Sequence, residues 1–260
     1  LHTAYRRQRQ MCIRDREYAD MAPLAYLHLA LDGNKTQTHI RHLLIDEMQD
    51  YSPIQYKVIQ KLYPCRKTIL GDASQSVNPY GSSTAAMIQK VFITGEIMKL
   101  CKSYRSTFEI TCLAQKIQTN KELEPIMRHG EQPEILQFKN TEEETTGIAN
   151  LISDFRNSGY TSLGIICKTE TLAKALAQKL QVHTDNISLL SSQSSAYTKG
   201  VVVTSAHMAK GLEFDEVIIP QADNKNYHST IDRNMLYVAV TRAMHKITLT
   251  YSGIQNQFIG

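Results

Sequence analysis

Short apolar runs alternate with amphipathic stretches along the chain from His39 onward. Three of the apolar runs predict strands, and they are HLLID (42–46), KTILGD (67–72) and EIMKL (96–100). Each of these strands is followed by a stretch with helical periodicity, and the three stretches are SPIQYKVIQKLY (52–63), STAAMIQKVF (83–92) and STFEITCLAQKIQ (106–118). Ser52 and Pro53 suit the start of the first helix, and Ser106 or Thr107 suits the start of the third. The alternation predicts a parallel sheet covered by helices.

The same alternation continues to the end of the chain. Further strands are predicted at EILQF (134–138), LGIIC (163–167), ISLL (187–190), GVVVTSA (200–206), EVIIPQ (216–221) and KITLTYS (246–252). Further helices are predicted at TEEETTGIANLISDFRNSG (141–159), TETLAKALAQKL (169–180) and STIDRNMLYVAVTRAM (229–244). Thr141 and Glu144 have the spacing of a capping box at the start of the first of these helices. The last of these predicted helices includes Arg242.

Proline and glycine interrupt this rhythm at TNKELEPIMRHGEQP (119–133), which predicts a connection between two units. We expect an α/β fold with residues 21–119 in a first domain, 120–133 as a linker and 134–260 in a second domain. Residues 1–20 include five arginines within eleven residues, without aromatic or helical periodicity. We expect this basic segment to be disordered or foreign to the natural protein, and the alternative is an arm that binds nucleic acid.

Composition and cysteine spacing exclude several classes of protein. No apolar run approaches the ~18 residues that suggest a membrane span, and the N-terminal residues lack the apolar core of a secretory signal. The five cysteines form no CxxC pair, which favours a reducing, cytoplasmic setting over disulfides or zinc. The net charge of +4 permits a polyanionic partner without requiring one.

Polar clusters follow the predicted strands, and ligands of doubly wound sheets bind beyond the carboxyl ends of the strands. The candidates are Asp46, Glu47, Asp72, Gln75, Tyr104 and Arg105 in the first half and Thr204, His207, Lys210, Glu213 and Arg242 in the second. Each cluster alone also fits a helix cap, a turn or a surface ion pair. Their order along the chain is therefore the informative feature.

Five segments resemble, in order, motifs II to VI of the UvrD/Rep-like superfamily 1 helicases. They are DEMQD (46–50), GDASQS (71–76), SYRS (103–106), TSAHMAKGLEFD (204–215) and YVAVTRA (237–243). The resemblance runs from His39 to the end of the chain, and its last two motifs are long and specific. It implies two RecA-like parallel-sheet motor domains, of which the first, with motifs II to IV, is incomplete. The short interval between motifs IV and V, together with GDASQSVNPYG (71–81), looks most like the branch of the RNA-polymerase-associated ATPase HelD.

The resemblance implies ATP and Mg²⁺ as cofactors and a role for each matching residue. Asp46 would hold Mg²⁺ through water, and Glu47 would be the general base for the attacking water. Gln75 would sense the γ-phosphate. Arg105 and Arg242 would contact the same phosphate, because their planar forks suit its oxygens. The other implied nucleotide contacts are Tyr104 on the adenine, Glu213 on the ribose and Gly211 in the same motif.

The resemblance also implies coupling to nucleic acid. Thr204 and His207 lie where the family contacts the strand. Family members usually have an aromatic residue directly after Gln-Ser in motif III, where it stacks on a base. Here Val77 and Asn78 occupy those positions and the aromatic residue, Tyr80, comes later. The sequence therefore supports ATP hydrolysis more directly than strand unwinding.

The phosphate-binding pattern G-x-x-x-x-G-K-[ST] does not occur in the 260 residues. In the family this loop lies upstream of motif II, so we expect the chain to be the C-terminal portion of a longer polypeptide and to be inactive alone. The 98 residues between Arg105 and Thr204 are too few for the large accessory domain that many relatives insert there. The second motor domain should therefore be compact.

Three functions remain open at this point. The leading one is an ATP-dependent helicase or translocase, 3′-to-5′ in direction, that acts on single-stranded or duplex DNA. The second is a HelD-like ATPase that remodels RNA polymerase, since it would use the same residues. The third is a non-catalytic nucleotide-binding module, against which the intact Asp46–Glu47 pair argues, because a module without turnover has no use for a general base. No membrane partner is expected.

Overall fold

The computed structural model describes residues 17–33, 36–76, 84–194 and 199–260, with only the backbone of Tyr18. Contacts between residues divide the chain into two compact units, residues 1–98 (unit 1) and residues 99–260 (unit 2). Most of the basic N-terminal segment and the stretch VNPYGSS (77–83), with Tyr80, lie outside the described residues. Within the described ranges, no helix is long and apolar enough to cross a membrane.

Unit 1 contains a short parallel sheet with helices. Its helices are α1 (Tyr18–Leu31), α2 (Pro53–Leu62) and α3 (Ala85–Gln89), and its strands are β1 (His42–Ile45) and β2 (Arg66–Ile69). The strands pair in parallel, with Ile45 opposite Ile69. Helix α2 begins as predicted, because Ser52 is its N-cap, Pro53 follows, and Ser52 and Gln55 form a reciprocal capping box. The buried core of this unit contains Ile45, Tyr56, Ile88 and Val91.

Unit 2 is built on a six-stranded, all-parallel sheet. In spatial order its strands are β5 (Glu134–Phe138), β10 (Ala243–Ser252), β9 (Phe214–Ile219), β6 (Ser162–Cys167), β8 (Gly200–Ser205) and β7 (Ile187–Leu189). Its helices are α4 (Phe108–Ile117), α5 (Thr141–Arg156), α6 (Glu170–Leu180) and α7 (Thr230–Val240). A separate two-stranded sheet joins β3 (Lys102–Ser103) to β4 (Glu124–Pro125). The predicted α/β fold with a parallel sheet is confirmed, and it is the arrangement expected of a RecA-like motor domain.

Helices cover both faces of the six-stranded sheet. One core contains residues of α4 and α7 together with Val202 and Val217, and the other contains residues of α5 and α6 together with Val201 and Val203. Neighbouring residues belong to different cores because successive side chains of a strand point to opposite faces. All six residues of β6 are buried, which explains why five of them, LGIIC (163–167), carry no charged or hydroxyl side chain.

The boundary between the units lies earlier than the linker expected at 120–133. Helix α4 packs within unit 2, where Ile110 and Ile117 are buried in the same core as Leu236. In addition, the Ser106 hydroxyl donates a hydrogen bond to the Ala243 carbonyl at 2.6 Å. Periodicity along the chain identified this helix correctly, but it carries no information about which sheet the helix packs on.

The predicted strand EIMKL is wrong. Residues 96–100 have no regular secondary structure, and Met98 and Leu100 are exposed. A strand requires a hydrogen-bonded neighbour, and this segment pairs with no strand among the described residues. The helix predicted at 83–92 is also shorter than expected, since α3 covers only Ala85–Gln89.

Two helix ends also differ from the prediction. The N-cap of α5 is Asn140, whose side chain accepts hydrogen bonds from the amides of Glu142 and Glu143, so the Thr141–Glu144 capping box is wrong. Helix α7 ends at Val240, and Arg242 therefore lies in the turn that follows the helix.

Candidate functional site

The predicted residues of unit 1 lie just beyond the carboxyl ends of β1 and β2. Because these strands are adjacent and parallel, the segment after Ile45 and the segment after Ile69 meet at one edge of the sheet. Backbone hydrogen bonds join the two segments, from the Leu70 amide to the Ile45 carbonyl and from the Met48 amide to the Leu70 carbonyl, both at 2.8 Å. Asp46 is exposed there, and its Oδ1 accepts a hydrogen bond from the Glu47 amide at 2.8 Å.

Glu47 has a left-handed backbone conformation, with φ 54° and ψ 51°. A residue with a side chain pays about 1–2 kcal/mol for this conformation, and such strain is concentrated at functional sites. The side chain is also held, because Gln49 Nε2 donates a hydrogen bond to Glu47 Oε2 at 2.6 Å. The turn therefore fixes the direction of the glutamate carboxylate.

Gln49 connects the two strand ends, and sequence analysis did not identify it. Its side chain is fully buried, and its Oε1 accepts a hydrogen bond from the Asp72 amide at 3.2 Å. A Cβ atom on Gly71 would lie 2.5 Å from Gln49 Oε1 and 2.6 Å from the Met48 amide nitrogen. Glycine is therefore required for this close approach, whereas the sequence suggested only a turn at Gly-Asp. The one sequence signal for Gln49 is its position inside the acidic motif.

Asp72 extends the same set of hydrogen bonds to Gln75. Its Oδ1 accepts from the Ser74 amide at 2.9 Å, and its Oδ2 accepts from Gln75 Nε2 at 3.0 Å. Glu47, Gln49, Asp72 and Gln75 thus form a continuous series of contacts, which we call the strand-end network. The structure brings the predicted general base and the predicted γ-phosphate sensor into this one network.

The residues present fit a magnesium ion that is bound chiefly by a nucleotide. Asp46 is an exposed carboxylate at the strand end, which suits a hard cation held through water. Among the residues that the structure describes, no group of three His, Cys, Asp or Glu side chains could hold a metal. A Mg²⁺ ion at Asp46 would therefore take most of its ligands from phosphate and water.

In unit 2, Arg105 and Glu213 form an ion pair, with Arg105 Nη2 2.6 Å from Glu213 Oε1. Both side chains are partly exposed. The guanidinium of Arg128 donates to the Arg105 carbonyl and, at 3.0 Å, to the Met244 carbonyl, so it fixes the backbone beneath the pair. Two residues that the resemblance assigns to opposite ends of the nucleotide thus lie side by side.

Two more predicted nucleotide contacts lie in the same two motifs. The neighbouring Tyr104 is 70 % exposed and offers an open aromatic face. Gly211, two residues before Glu213, has φ 82°, a conformation that glycine adopts without cost.

Arg242 is buried, with only 2 % of its surface exposed. Its Nε donates to the Val238 carbonyl at 3.2 Å, its Nη1 to the Leu212 carbonyl at 3.3 Å and its Nη2 to the Thr241 hydroxyl at 3.3 Å. The guanidinium therefore ties the end of α7 to the segment before Glu213. A contact between Arg242 and a phosphate requires the guanidinium to become more exposed.

The two predicted nucleic-acid contacts of unit 2 differ in exposure. Thr204 is fully buried, and its hydroxyl donates to the Leu190 carbonyl at 3.1 Å. A direct contact between this residue and a nucleic-acid strand therefore does not fit the structure. The position of Thr204 directly after the apolar run Val201–Val203 already places it on a buried strand. His207 is exposed in the turn after β8 and is accessible to a partner.

Comparison with known proteins gives matches over both units. The model of the UvrD/REP helicase N-terminal domain matches residues 7–92, and the model of the UvrD-like helicase C-terminal domain matches residues 200–250. Together they cover just over half of the chain. The first match begins inside the basic segment for which we expected a disordered or foreign origin.

Individual relatives agree with these matches. The chain is 27 % identical over 157 residues to "Putative ATP-dependent DNA helicase YjcD" of Bacillus subtilis, which covers 55 % of this chain and 21 % of that protein. It is 29 % identical over 119 residues to ATP-dependent DNA helicase Rep of Escherichia coli, covering 42 % of this chain and 18 % of Rep. The chain thus spans about a fifth of the length of the curated relatives that it matches.

A solved structure agrees as well. The C-terminal domain of a possible DNA helicase from Lactobacillus plantarum WCFS1 superposes with a TM-score of 0.53 and 28 % identity, covering 61 % of this chain and 92 % of that domain. The motifs, the parallel sheet and the matches over both units lead to the same assignment. The chain belongs to the UvrD/Rep-like helicase family.

Proposed function

We propose that this chain is the motor portion of an ATP-dependent DNA helicase or translocase. The observation that carries the proposal is the strand-end network, because it joins a glutamate in a strained turn to a glutamine on the neighbouring strand end. The left-handed turn and the hydrogen bond from Gln49 hold the Glu47 carboxylate in one direction. A general base in an ATPase needs such fixed positioning.

In this proposal the two strand ends divide the work of hydrolysis. Asp46 would hold a Mg²⁺ ion through water, and that ion would supply positive charge beside the phosphates. Glu47 accepts a proton from the water that attacks the γ-phosphorus. Gln75 contacts the γ-phosphate, and its bond to Asp72 transmits loss of that phosphate through Gln49 to the turn at Glu47.

The second group of residues contacts the rest of the nucleotide. Arg105 binds the γ-phosphate and Glu213 accepts a hydrogen bond from the ribose, so ATP binding separates their ion pair. Tyr104 stacks on the adenine. Arg242 contributes charge to the transition state only after its guanidinium becomes more exposed.

The nucleic-acid partner is proposed from the relatives, which are named as DNA helicases. Movement in the 3′-to-5′ direction and a cytoplasmic location belong to the same proposal. The HelD-like pattern in motif III supports a second candidate, an ATPase that acts on RNA polymerase. The missing aromatic residue directly after Gln-Ser favours that candidate over strand unwinding.

The test of the ATPase is Glu47→Gln, measured in a polypeptide that joins this chain to a phosphate-binding loop, because the 260 residues contain none. We expect kcat for ATP to fall by about 10²–10⁴, the usual contribution of a general base, with binding of ATP almost unchanged. Glu17→Gln, at an exposed acid of unit 1, is the matched control. Full turnover by the Glu47→Gln variant would exclude the proposal. We expect the 260-residue chain alone to hydrolyse ATP negligibly.

The same assay separates the candidate partners. Stimulation of ATP turnover by single-stranded DNA supports the DNA motor, whereas stimulation by core RNA polymerase alone supports the remodelling ATPase. A protein that binds ATP tightly and shows no turnover with either partner would be the non-catalytic module.

A further inference from the structure

A small cavity lies in unit 2, away from the motifs. It is lined by residues of α5, α6 and the segment that follows β9, it is partly open to solvent, and its volume is about 40 Å³. Ile148, Leu172, Leu176 and Pro220 supply most of its apolar wall. The polar residues on its wall include Glu144 and Lys179. We call it the Glu144 cavity.

Glu144 is an unusual residue to find in such a wall, because only 1 % of its surface is exposed. Its Oε1 accepts two hydrogen bonds, from the Gln221 amide at 2.8 Å and from the Thr250 hydroxyl at 2.7 Å. Its Oε2 is buried and accepts no hydrogen bond from any described residue. Since Oε1 is occupied by Gln221 and Thr250, Oε2 is the oxygen left for a ligand in the cavity.

An unsatisfied carboxylate oxygen in a buried position is costly. Both donors to Oε1 are neutral, so they leave the negative charge of the carboxylate uncompensated. A ligand that brings a positively charged N–H donor corrects both defects at once. The apolar wall adds favourable contact for one or two methylene groups next to that donor.

We propose that the Glu144 cavity binds a primary alkylammonium group, with Glu144 as its counter-ion. One water-sized group needs about 10–15 Å³ of volume on this measure, so the cavity admits about three non-hydrogen atoms. An ammonium nitrogen with two carbons has that size. A guanidinium group fits less well, because its two-pronged geometry would need both oxygens of the carboxylate and Oε1 already accepts two hydrogen bonds.

Two sources could supply such a group. One is a free amine from solution. The other is the ammonium of Lys179, which is exposed in α6 and lines the same cavity, so that a rotation of its side chain could bring Nζ toward Oε2. The chemistry is the same in both cases, and a substitution of Lys179 separates them.

The experiment is a titration of the ¹⁵N-labelled 260-residue chain with ethylammonium chloride, followed by NMR. The Gln221 amide donates to the same carboxylate, so its resonance reports a cation at Oε2. Sodium chloride is exchanged to keep the ionic strength constant. So small a ligand binds with a Kd of about 1 mM at best, and the titration must reach ~100 mM. Ethanol, a neutral molecule of equal size, is the ligand control.

Two variants of the chain complete the test. We expect a saturable shift of the Gln221 resonance with ethylammonium and none with ethanol, and we expect Glu144→Gln to abolish it. If Lys179 fills the cavity, the shift appears only in Lys179→Met; if a free amine is the ligand, wild type and Lys179→Met respond alike. The proposal is overturned if ethylammonium has no more effect than ethanol in both proteins, or if Glu144→Gln responds as wild type does.

Discussion

At the scale of single residues, Gln49 has a larger part in the candidate site than its place in the sequence indicates. It donates to the carboxylate of Glu47 and accepts from the amide of Asp72, so one side chain fixes groups on both strand ends. The amide is well suited to this position because it has a donor and an acceptor at one end. A carboxylate in its place would repel Glu47, and an apolar side chain would leave the Asp72 amide unpaired.

The first prediction concerns Gln49→Met, which keeps the size of the side chain and removes both hydrogen bonds. The free energy of unfolding should fall by about 1–3 kcal/mol, because a buried donor loses its partner. ATP turnover should fall through kcat while KM changes little, since Glu47 loses its orientation and not its contact with the nucleotide.

Gln60→Met is the control for this prediction. Gln60 also makes a half-buried hydrogen bond in unit 1, to the Val91 carbonyl at 2.9 Å, but it lies outside the strand-end network. Urea unfolding of both variants, and their steady-state ATPase kinetics in the polypeptide that includes a phosphate-binding loop, provide the comparison. Equal kcat values for the two variants would contradict a role of Gln49 in positioning Glu47.

Residues of this kind mark the limit of prediction from the sequence. Asp46, Glu47 and Gln75 could be identified because they belong to a motif with a known order along the chain. Gln49 and Gly71 could not, because their importance depends on an approach between two strand ends that the sequence does not display. Thr204 shows the opposite error, since its position in a motif suggested an exposed contact and its side chain is buried.

At the scale of secondary-structure elements, the starts of helices were predicted well where one residue type dominates. Ser52 and Thr107 cap α2 and α4 as expected. The start of α5 was displaced by one residue, because the sequence contains a capping-box pattern at Thr141 and a stronger cap, Asn140, just before it. Glu144, freed from a capping role, bonds to Gln221 and Thr250 inside unit 2.

The second prediction tests this cap with neighbouring variants. Asn140→Ala should lower the free energy of unfolding by about 1 kcal/mol, because the amides of Glu142 and Glu143 lose their acceptor. Thr141→Ala should change it by less than about 0.5 kcal/mol. Chemical denaturation of both variants decides between the two caps, and a larger loss for Thr141→Ala would restore the original interpretation.

The third prediction concerns the start of α7, where Asp232 completes a capping box with Ser229 and pairs with Lys168 Nζ at 2.6 Å. Burial alone would raise the pKa of this carboxyl, but hydrogen bonds from Lys168 and Ser229 outweigh it and lower the pKa from 3.8 to about 2. A lowered pKa means that the ionised group stabilises the fold above pH ~4, and that this contribution is lost as the pH falls toward 2.

Unfolding of wild type and Asp232→Asn at several pH values measures this effect. One pKa unit corresponds to about 1.4 kcal/mol, so the pH-dependent part of the difference should be about 2 kcal/mol at pH 7 and should shrink between pH 4 and pH 2. Asp154→Asn, on the exposed side of α5, is the control and should follow wild type. If the difference in free energy of unfolding stays constant from pH 7 to pH 2, the ionisation of Asp232 does not contribute to stability.

At the scale of the whole molecule, the two units present different problems for prediction. The sheet of unit 2 was predictable because its strands are long, apolar and buried, as in β6 and β8. The segment at 96–100 is also rich in apolar residues, but it pairs with no strand in the described part of the chain, and its apolar side chains are exposed. A local pattern cannot distinguish these cases, since pairing depends on residues far away in the sequence.

The fourth prediction tests where the division between the units lies. A polypeptide of residues 99–260 should fold cooperatively, whereas one of residues 120–260 should not, because it lacks α4. That helix buries Ile110, Leu113 and Ile117 against the core that contains Leu236, and each such side chain contributes about 1.5–3 kcal/mol. The sum is comparable with the total stability of a domain, about 5–15 kcal/mol. Thermal unfolding of both polypeptides, followed by circular dichroism, tests this prediction. Within residues 99–260, the buried Ile110→Ala and the exposed Met127→Ala form a matched pair of variants. Equal unfolding midpoints for the two polypeptides would return α4 to the first domain.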